Sequence, residues 1–403
     1  MTVRVNKSSF NIREKLSELE RPIGLKGSEL MRAETAQEAR DFVSAGRKNL
    51  IINGDMRIAQ RSTSSSTIIG NDYRSLDRWR IQFSGYTAVT GTTSQSSESP
   101  PGFNNSLRVN ITGPEGLASG DLGTIRYYIE AQDCQQFAYG TSQAKTLTLS
   151  FWIRSSVTGT YTIGLYQDDD GRQVTLPYTI DTADTWEYKV ITIPPDTTGV
   201  IDDDNGVGLQ ISWNFSAGSN YTGTDHTGWG VYANGRWANG QTADLLGVAS
   251  NLYLTGVQLE VGKNATEFEH RSYGEELALC QRYFQSIFPD GVAPQNGYWS
   301  ANNDLAAGWA GLTCFASSNT RSPKIFFNVP MRTQPTVTLY AASSDDANDK
   351  WSAYSGTAWS TPTSHTINYF GNVGFGVRYT SMGFGTVGET YLYRGMWTAS
   401  AEL

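Results

Sequence analysis

The chain has 403 residues, a formal net charge of −8 and 38% hydrophobic residues, yet it contains 41 Gly, 21 Tyr and 11 Trp. This length is sufficient for two domains, and the composition is typical of a Thr- and Ser-rich β protein with an aromatic surface rather than of a helical enzyme. The acidic balance argues against a nucleic-acid partner, and no stretch approaches the roughly 20 consecutive apolar residues that a membrane helix requires.

The first 48 residues differ from the rest of the chain. Two short helices are predicted there, one begun by Asn11 and one by Thr35, each with a Glu three residues later. Both are too short and too polar to fold alone, so we expect residues 1–48 to be ordered by a partner surface or by copies of themselves. The alternative is a flexible leader. The apolar residues expected to make these contacts are Ile12, Leu16, Leu19 and Phe42.

From residue 49 onward the sequence predicts strands separated by polar turns. In "KTLTLSFWIRSS" (145–156), apolar residues alternate with polar ones and with Trp152. A period of two is typical of a strand with one buried face. Similar runs occur further along without intervening helices, so residues 49–270 are predicted to form a mainly β, antiparallel jelly-roll sandwich.

One amphipathic helix is predicted after this region, over 271–289. Ser272 is its expected N-cap, Glu275 stands at the capping-box position, and Pro289 ends it. Four apolar residues recur at a spacing of three to four and would share one helical face: Leu277, Cys280, Phe284 and Ile287. This face needs a partner: it would pack either on the sandwich, where the helix covers one open end, or on the same helix of another copy of the chain.

Residues 290–403 are predicted to form a small β domain, a terminal knob rich in aromatic turns. Tyr and Trp rings offer flat apolar faces to sugars and a polar edge to their hydroxyls. The first candidate glycan contacts are Trp351, Tyr354, Trp359, Tyr369, Phe375 and Tyr379; a second cluster, in "GWGVYANGRW", is Trp229, Tyr232 and Trp237. The alternative is that these rings only pack a small β core.

No catalytic residue, metal site or cofactor is predicted. The three His and three Cys lack the spacing of a metal site, and the Cys do not form a disulfide framework. The Asp-rich turns at 168–170 and 202–204 could hold Ca²⁺, but their spacing differs from that of a calcium loop, and such turns are common between strands. Nucleophile-elbow and phosphate-loop motifs are missing from the sequence.

Three stretches resemble a known family. "GSELMRAETAQEARDFVSAGRKNLIINGDMRIAQR" (27–61) resembles the start of the tail-fibre and receptor-binding proteins of tailed bacteriophages. "LTGVQLEVGKNATEFEHRSYGEELALCQRYF" (254–284) resembles the end of the carbohydrate-binding-module-like jelly roll in the same proteins. "FFNVPMRTQPTVTLY" (326–340) resembles the start of their terminal domain, which comes after the jelly roll.

The resemblance implies a non-enzymatic, homotrimeric protein of the virion tail, made in the host cytoplasm. In such a trimer we expect the apolar face of the 271–289 helix to pack along the trimer axis. The protein would attach to other tail proteins through residues 1–48 and recognise host polysaccharide or lipopolysaccharide through its β domains, without inserting into a membrane. The missing apolar signal-peptide core agrees with this expectation. Two alternatives stay open: a structural tail component that contacts only other virion proteins, and a tailspike that depolymerises glycans.

Overall fold

The fold is described from a computed structural model of the chain. The described residues are 48–403, except 67, 224–227, 299–308, 314–318, 322–323, 345, 347–348, 355–356, 358, 362–363 and 381–389. The two predicted N-terminal helices, with Ile12, Leu16, Leu19 and Phe42, lie outside the described residues. Residues 49–403 form one compact unit. Within the described part, no helix is long and apolar enough to cross a membrane.

Two antiparallel sheets make up the first part of this unit, which confirms the predicted mainly β, antiparallel architecture. Their strands, in chain order, are β1 (Ser64–Ser65), β2 (Gly70–Tyr73), β3 (Arg80–Ser84), β4 (Thr90–Ser96), β5 (Ser106–Gly113), β6 (Leu122–Glu130), β7 (Leu147–Ser155), β8 (Gly159–Gln167), β9 (Arg172–Ile180), β10 (Glu187–Ile193), β11 (Val207–Ala217), β12 (Gly230–Val231) and β13 (Ser250–Val261). The six-stranded sheet has the order β1-β4-β5-β13-β7-β10, and the seven-stranded sheet has the order β12-β9-β8-β11-β6-β3-β2. Short 3₁₀ helices span Ala131–Phe137 and Asn234–Arg236.

The core of the sandwich lies between the inner faces of these sheets. In β7 the four predicted inward residues Leu147, Leu149, Phe151 and Ile153 are fully buried in this core, but Thr148 and Ser150 on the opposite face are buried as well. The Trp213 ring of β11 lies 6.0 Å from the Phe151 ring and 5.4 Å from the Trp79 ring. Since the inner faces are filled by packed side chains, a ligand can be reached only by the outer faces and by the loops.

The chain after residue 283 builds three smaller antiparallel sheets. Its described strands are β14 (Phe284–Ser286), β15 (Trp309–Thr313), β16 (Asn319–Arg321), β17 (Ile325–Phe326), β18 (Thr336–Tyr340), β19 (Ser352–Tyr354), β20 (Trp359–Ser360), β21 (Ser364–Gly371), β22 (Gly374–Thr380), β23 (Thr390–Arg394) and β24 (Met396–Ser400). The sheets are β14-β24-β18, β15-β23-β19-β20 and β16-β22-β17, with β21 also paired to β22. They enclose a second hydrophobic core that includes Trp351, Phe375 and Trp397.

The helix between the two β regions, α1 (Tyr273–Gln281), begins as predicted. The Ser272 Oγ accepts a hydrogen bond from the backbone N–H of Glu275 at 3.3 Å. The predicted length is wrong, because α1 ends at Gln281 and Phe284 lies in β14, which pairs with β24. The aromatic run that starts at Tyr283 gains strand hydrogen bonds and burial there, and these tertiary contacts override the helical periodicity.

The buried residues of α1 fasten it to the start of the sandwich. Glu276 and Cys280 are buried, whereas Leu277 and Ile287 are only half-buried, so the four predicted residues do not form one buried helical face. Glu276 accepts a hydrogen bond from the backbone N–H of Asn53 and pairs with Arg271 at 3.3 Å. These contacts are made within one chain; the trimer axis and the domain boundaries stay predictions.

Candidate functional site

A groove of about 320 Å³ opens on the outer face of the seven-stranded sheet. We call it the sheet groove. Its lining residues come from four strands and from the segment between β11 and β13: Gln82, Leu122, Arg126, Tyr166, Gln210, Tyr221, Tyr232, Asn234 and Trp237. Its volume lies at the lower end of the range for small-molecule sites, which are about 300 to 1,000 Å³.

Strand alternation aims the floor of the sheet groove outward. In β6, Arg126 stands between Ile125 and Tyr127, which are buried in the core. In the pairing of β11 with β8, Gln210 lies opposite Tyr166. Because successive strand residues point to opposite faces, these groups from separate strands converge on one surface.

The segment after β12 covers part of this face and forms one wall. The backbone oxygen of Trp237 accepts hydrogen bonds from Asn214 Nδ2 at 2.9 Å and from Thr175 Oγ1 at 3.3 Å. A Cβ atom at Gly164 would come within 3.1 Å of the same oxygen, so glycine permits this close approach. The wall therefore rests on hydrogen bonds to the rigid sheet, which holds the sheet groove in shape.

Three aromatic rings form the apolar part of the sheet groove. The ring centroids of Tyr166 and Tyr232 are 5.5 Å apart, and each lies 6.0 to 6.1 Å from that of Trp237. Tyr232 is 44% exposed and Trp237 is 5% exposed, so Tyr232 offers a free surface while Trp237 supports it from below. Burial raises the pKa of both tyrosine hydroxyls, so they stay neutral hydrogen-bond donors near pH 7.

Polar atoms without a protein partner surround these rings. Among the described residues, no hydrogen bond reaches Gln82 Oε1, Arg126 Nε or Trp237 Nε1, although all three atoms are buried. The Arg126 guanidinium lies 5.2 Å from the centroid of the Trp237 ring. Burial lowers the pKa of Arg126, as expected for a charge held away from water. Buried polar groups usually have partners, so these three atoms are available to hydrogen-bond with water or with a ligand in the sheet groove.

The structure places only two of the three residues of the second predicted cluster in the sheet groove. Tyr232 and Trp237 line the sheet groove, but Trp229 does not. Trp229 packs 5.8 Å from the Tyr139 ring and donates a hydrogen bond from Nε1 to the Pro194 oxygen at 2.8 Å. Trp229 is therefore a packing residue at the edge of the sandwich core.

Three residues of the first predicted cluster lie in the protein core and not at the surface, which corrects the prediction for them. Trp351, Phe375 and Tyr379 are buried residues of the C-terminal core and present no ring face to a ligand. Trp351 Nε1 donates to the Met396 oxygen at 2.9 Å, and the rings of Tyr379 and Tyr393 stack at 4.6 Å. A small β domain needs large side chains to exclude water from its core, and these aromatics serve that purpose.

The other members of the first cluster stay at the surface or outside the described residues. Tyr354 and Trp359 pair across β19 and β20, are half-buried, and have ring centroids 5.2 Å apart. The Arg394 guanidinium lies 4.2 Å from the Trp359 ring centroid. The backbone of Tyr369 lies in β21, and its side chain is outside the described part of the structure. Tyr354 and Trp359 therefore remain candidate glycan contacts, although they do not line the sheet groove.

The sequence did not point to most of the sheet groove. Arg126, Tyr166 and Gln210 lie in ordinary strand segments, and no local motif distinguishes them from other outward residues. Only the strand register shows that they face the same space. The one local signal was the Gly-bounded aromatic segment that contains Tyr232 and Trp237.

The Asp-rich turns and the cysteines are the remaining candidate groups. The two turns lie together, because the backbone N–H of Asp202 donates to Asp169 at 3.0 Å. Burial and the neighbouring acids raise the pKa of Asp169. No group of three potential ligands suited to a metal occurs among the described residues. Cys134 and Cys280 are free and buried, and Cys314 lies outside the described residues.

Comparisons with known proteins give fold neighbours only. No family model matches the chain, and no curated protein matches it. A solved bacteriophage CBA120 tailspike protein 4 enzymatically active domain is 13% identical with a TM-score of 0.29; the match covers 53% of this chain but only 21% of that domain. A CBM61 module solved with β-1,4-galactotriose is 10% identical with a TM-score of 0.26, over 53% of this chain and 99% of that one. A family 11 carbohydrate-binding module of Clostridium thermocellum is 15% identical with a TM-score of 0.25, over 52% of this chain and 99% of that one. At these values the likeness identifies no function, so the function has to be inferred from the residues of the sheet groove.

Proposed function

We propose that this protein is a non-enzymatic glycan-binding protein of a bacteriophage tail, and that the sheet groove is its glycan site. The observation that carries the glycan proposal is the combination, in one groove of about 320 Å³, of an exposed Tyr232 ring with buried polar atoms that have no partner among the described residues. Sugars match this surface, because their C–H faces stack on aromatic rings while their hydroxyls both donate and accept hydrogen bonds.

The position of the site on a sheet also favours binding. Arg126, Tyr166 and Gln210 stand on strands, where a binding group is held more precisely than on a loop, so less conformational entropy is lost when the ligand binds. One such groove would bind a sugar weakly. In a trimer, three copies would raise the affinity for a repetitive polysaccharide through their effective concentration.

Replacing Tyr232 by alanine is expected to weaken glycan binding at least tenfold, because it removes the exposed ring and about 1.4 kcal/mol or more of contact energy. Binding should be measured on an array of bacterial surface polysaccharides and then by calorimetry on those retained. Tyr188→Ala is the matched control, since Tyr188 is 43% exposed on β10 of the other sheet. Equal binding by wild type and Tyr232→Ala would contradict the assignment of the site.

The tail-fibre part of the proposal is supported by the resemblance of residues 27–61 and 254–284 to phage tail proteins. In this proposal the protein is a homotrimer in the virion, made in the host cytoplasm. Residues 1–48 attach it to other tail proteins, and it adsorbs to host polysaccharide or lipopolysaccharide. The two alternatives are a structural tail component and a depolymerase.

Light scattering and cell adsorption separate these possibilities. The full-length protein should have three times the mass of one chain and should adsorb to host cells. A variant without residues 1–48, which precede the compact unit, should keep its glycan binding but lose attachment to tail proteins. A monomeric mass would contradict the trimer, and a failure to adsorb would favour the structural role. New reducing ends in the polysaccharide would favour the depolymerase, because they show hydrolysis.

A further inference from the structure

Two arginines lie side by side on the outer face of the seven-stranded sheet, and one of them, Arg126, lines the sheet groove. Arg80 and Arg126 are direct partners in the pairing of β3 with β6, and both alternate with core residues, so both point outward. Arg80 Nη1 donates a hydrogen bond to the Tyr128 hydroxyl at 3.3 Å, and the Tyr128 ring lies 5.6 Å from the same guanidinium. Two positive charges are therefore held close together on a chain whose net charge is −8.

Within the described part of the chain, neither of these arginines pairs with a carboxylate. Several other arginines do so within about 3 Å, for example Arg172 with Asp196 at 2.6 Å, Arg282 with Glu130 at 2.7 Å, and Arg394 with Asp346 at 2.9 Å. Arg126 instead is half-buried against the Trp237 ring, with its Nε unpartnered. The Arg80–Arg126 pair therefore has no carboxylate within ion-pair distance among the described residues.

The electrostatics of the pair favour an anionic ligand. Burial, the largest effect, lowers the pKa of Arg126, the hydroxyl of Tyr128 raises it, and the like charge of Arg80 lowers it further. Burial and the like charge both disfavour the charged form, so an anion that enters the sheet groove would relieve an unfavourable state. The guanidinium presents its donors in a planar fork that matches the two oxygens of a carboxylate.

We propose that the sheet groove binds an acidic glycan, with the carboxylate of one sugar unit against Arg126 and the sugar ring on Tyr232. This inference rests on the proposed function, since it names the substrate class of the same site. The amide groups of Gln82, Gln210 and Asn234 line the sheet groove as well and supply donors and acceptors for the sugar hydroxyls.

The test compares polysaccharides that differ only in charge. Hyaluronate, polygalacturonate, alginate and polysialic acid are each offered beside the same polymer after its carboxyl groups have been reduced to alcohols. Dextran sulfate, compared with uncharged dextran, measures general attraction of the protein to polyanions. The full-length protein is expected to bind at least one acidic polymer and to bind its carboxyl-reduced form at least tenfold more weakly, as measured by affinity electrophoresis.

Arg126→Gln is expected to abolish this tenfold preference, and Arg126→Lys to restore it only in part, because lysine keeps the charge but lacks the fork. Arg154→Gln, on the outer face of the six-stranded sheet, should leave it unchanged. Since Arg126 makes no ion pair with a described residue, the melting temperature of Arg126→Gln should stay close to that of wild type, which separates lost binding from lost folding.

Each outcome decides between the two proposals. Binding that depends on Tyr232 but is equal for acidic and reduced polymers would overturn the acidic-glycan inference and leave glycan binding intact. Binding to dextran sulfate as strong as to any carboxylated polymer would also overturn it. If no polymer is retained, acidic or neutral, the glycan site itself is wrong. A carboxyl preference that Arg126→Gln removes would support both.

Discussion

Replacing Arg78 by methionine is expected to lower the free energy of unfolding by about 3 to 5 kcal/mol, the usual cost of removing one partner from a buried ion pair. Arg78 is fully buried and pairs with Glu402, the penultimate residue of the chain. Its Nη2 also donates to the Tyr128 oxygen at 2.6 Å, and its guanidinium lies 3.4 Å from the Tyr283 ring centroid. Methionine would leave Glu402 in the interior with Arg61 as its remaining partner, at 2.9 Å.

Urea unfolding monitored by tryptophan fluorescence measures this effect. Arg154→Met is the matched control, because Arg154 pairs with Glu98, whose side chain is 56% exposed, and exposed pairs contribute less than about 1 kcal/mol. Glu402→Gln tests the other end of the pair and should also be strongly destabilising. A loss below about 1 kcal/mol for Arg78→Met would mean that the C-terminal residues are not fastened to the sandwich through this pair.

Sequence patterns correctly predicted those features that depend on residues close together along the chain. The inward-facing apolar residues of β7 and the Ser272 cap depend on neighbouring residues along the chain, and both are found as predicted. The end of α1 does not depend on neighbours alone. Residues 282–288 keep a helical spacing of apolar side chains, but β24 offers them strand hydrogen bonds from more than 100 residues away. Such a partner cannot be deduced from periodicity.

The aromatic residues show the same limit for the site. Trp351 and Tyr232 stand in similar Gly-containing segments, yet Trp351 is 2% exposed and Tyr232 is 44% exposed. The sequence shows that a ring stands near a turn, but burial depends on what packs over that turn. Arg126 could not be identified from the sequence, because an arginine in a strand normally points outward into solvent. Its lack of a carboxylate partner among the described residues is visible only in three dimensions.

Replacing Asn53 by alanine is the other change with a large expected effect, a loss of about 3 kcal/mol or more in the free energy of unfolding. The buried Asn53 side chain accepts from the Ile58 N–H at 2.9 Å and donates to the oxygens of Ile58 and Asp77, both at 2.9 Å. Its own backbone donates to Glu276 and accepts from Trp79 Nε1 at 2.9 Å. Alanine leaves the Ile58 N–H and the Asp77 oxygen without these bonds in the interior, where each unpaired group costs about 1 to 3 kcal/mol; the Ile58 oxygen keeps its bond from the Asp77 N–H at 3.1 Å.

Asn53 also has a φ angle of 59°, a left-handed conformation that asparagine tolerates better than alanine. Asn53→Gly separates the two causes, because glycine adopts this angle freely but lacks the side-chain hydrogen bonds. In urea unfolding, Asn53→Gly should recover about 1 kcal/mol of the loss seen for alanine and no more. Full recovery by glycine would show that backbone strain, and not the hydrogen bonds, is what the asparagine relieves. Partial recovery would show that the remaining loss comes from the side-chain hydrogen bonds to Ile58 and Asp77, since the backbone bond to Glu276 of α1 is kept in both variants.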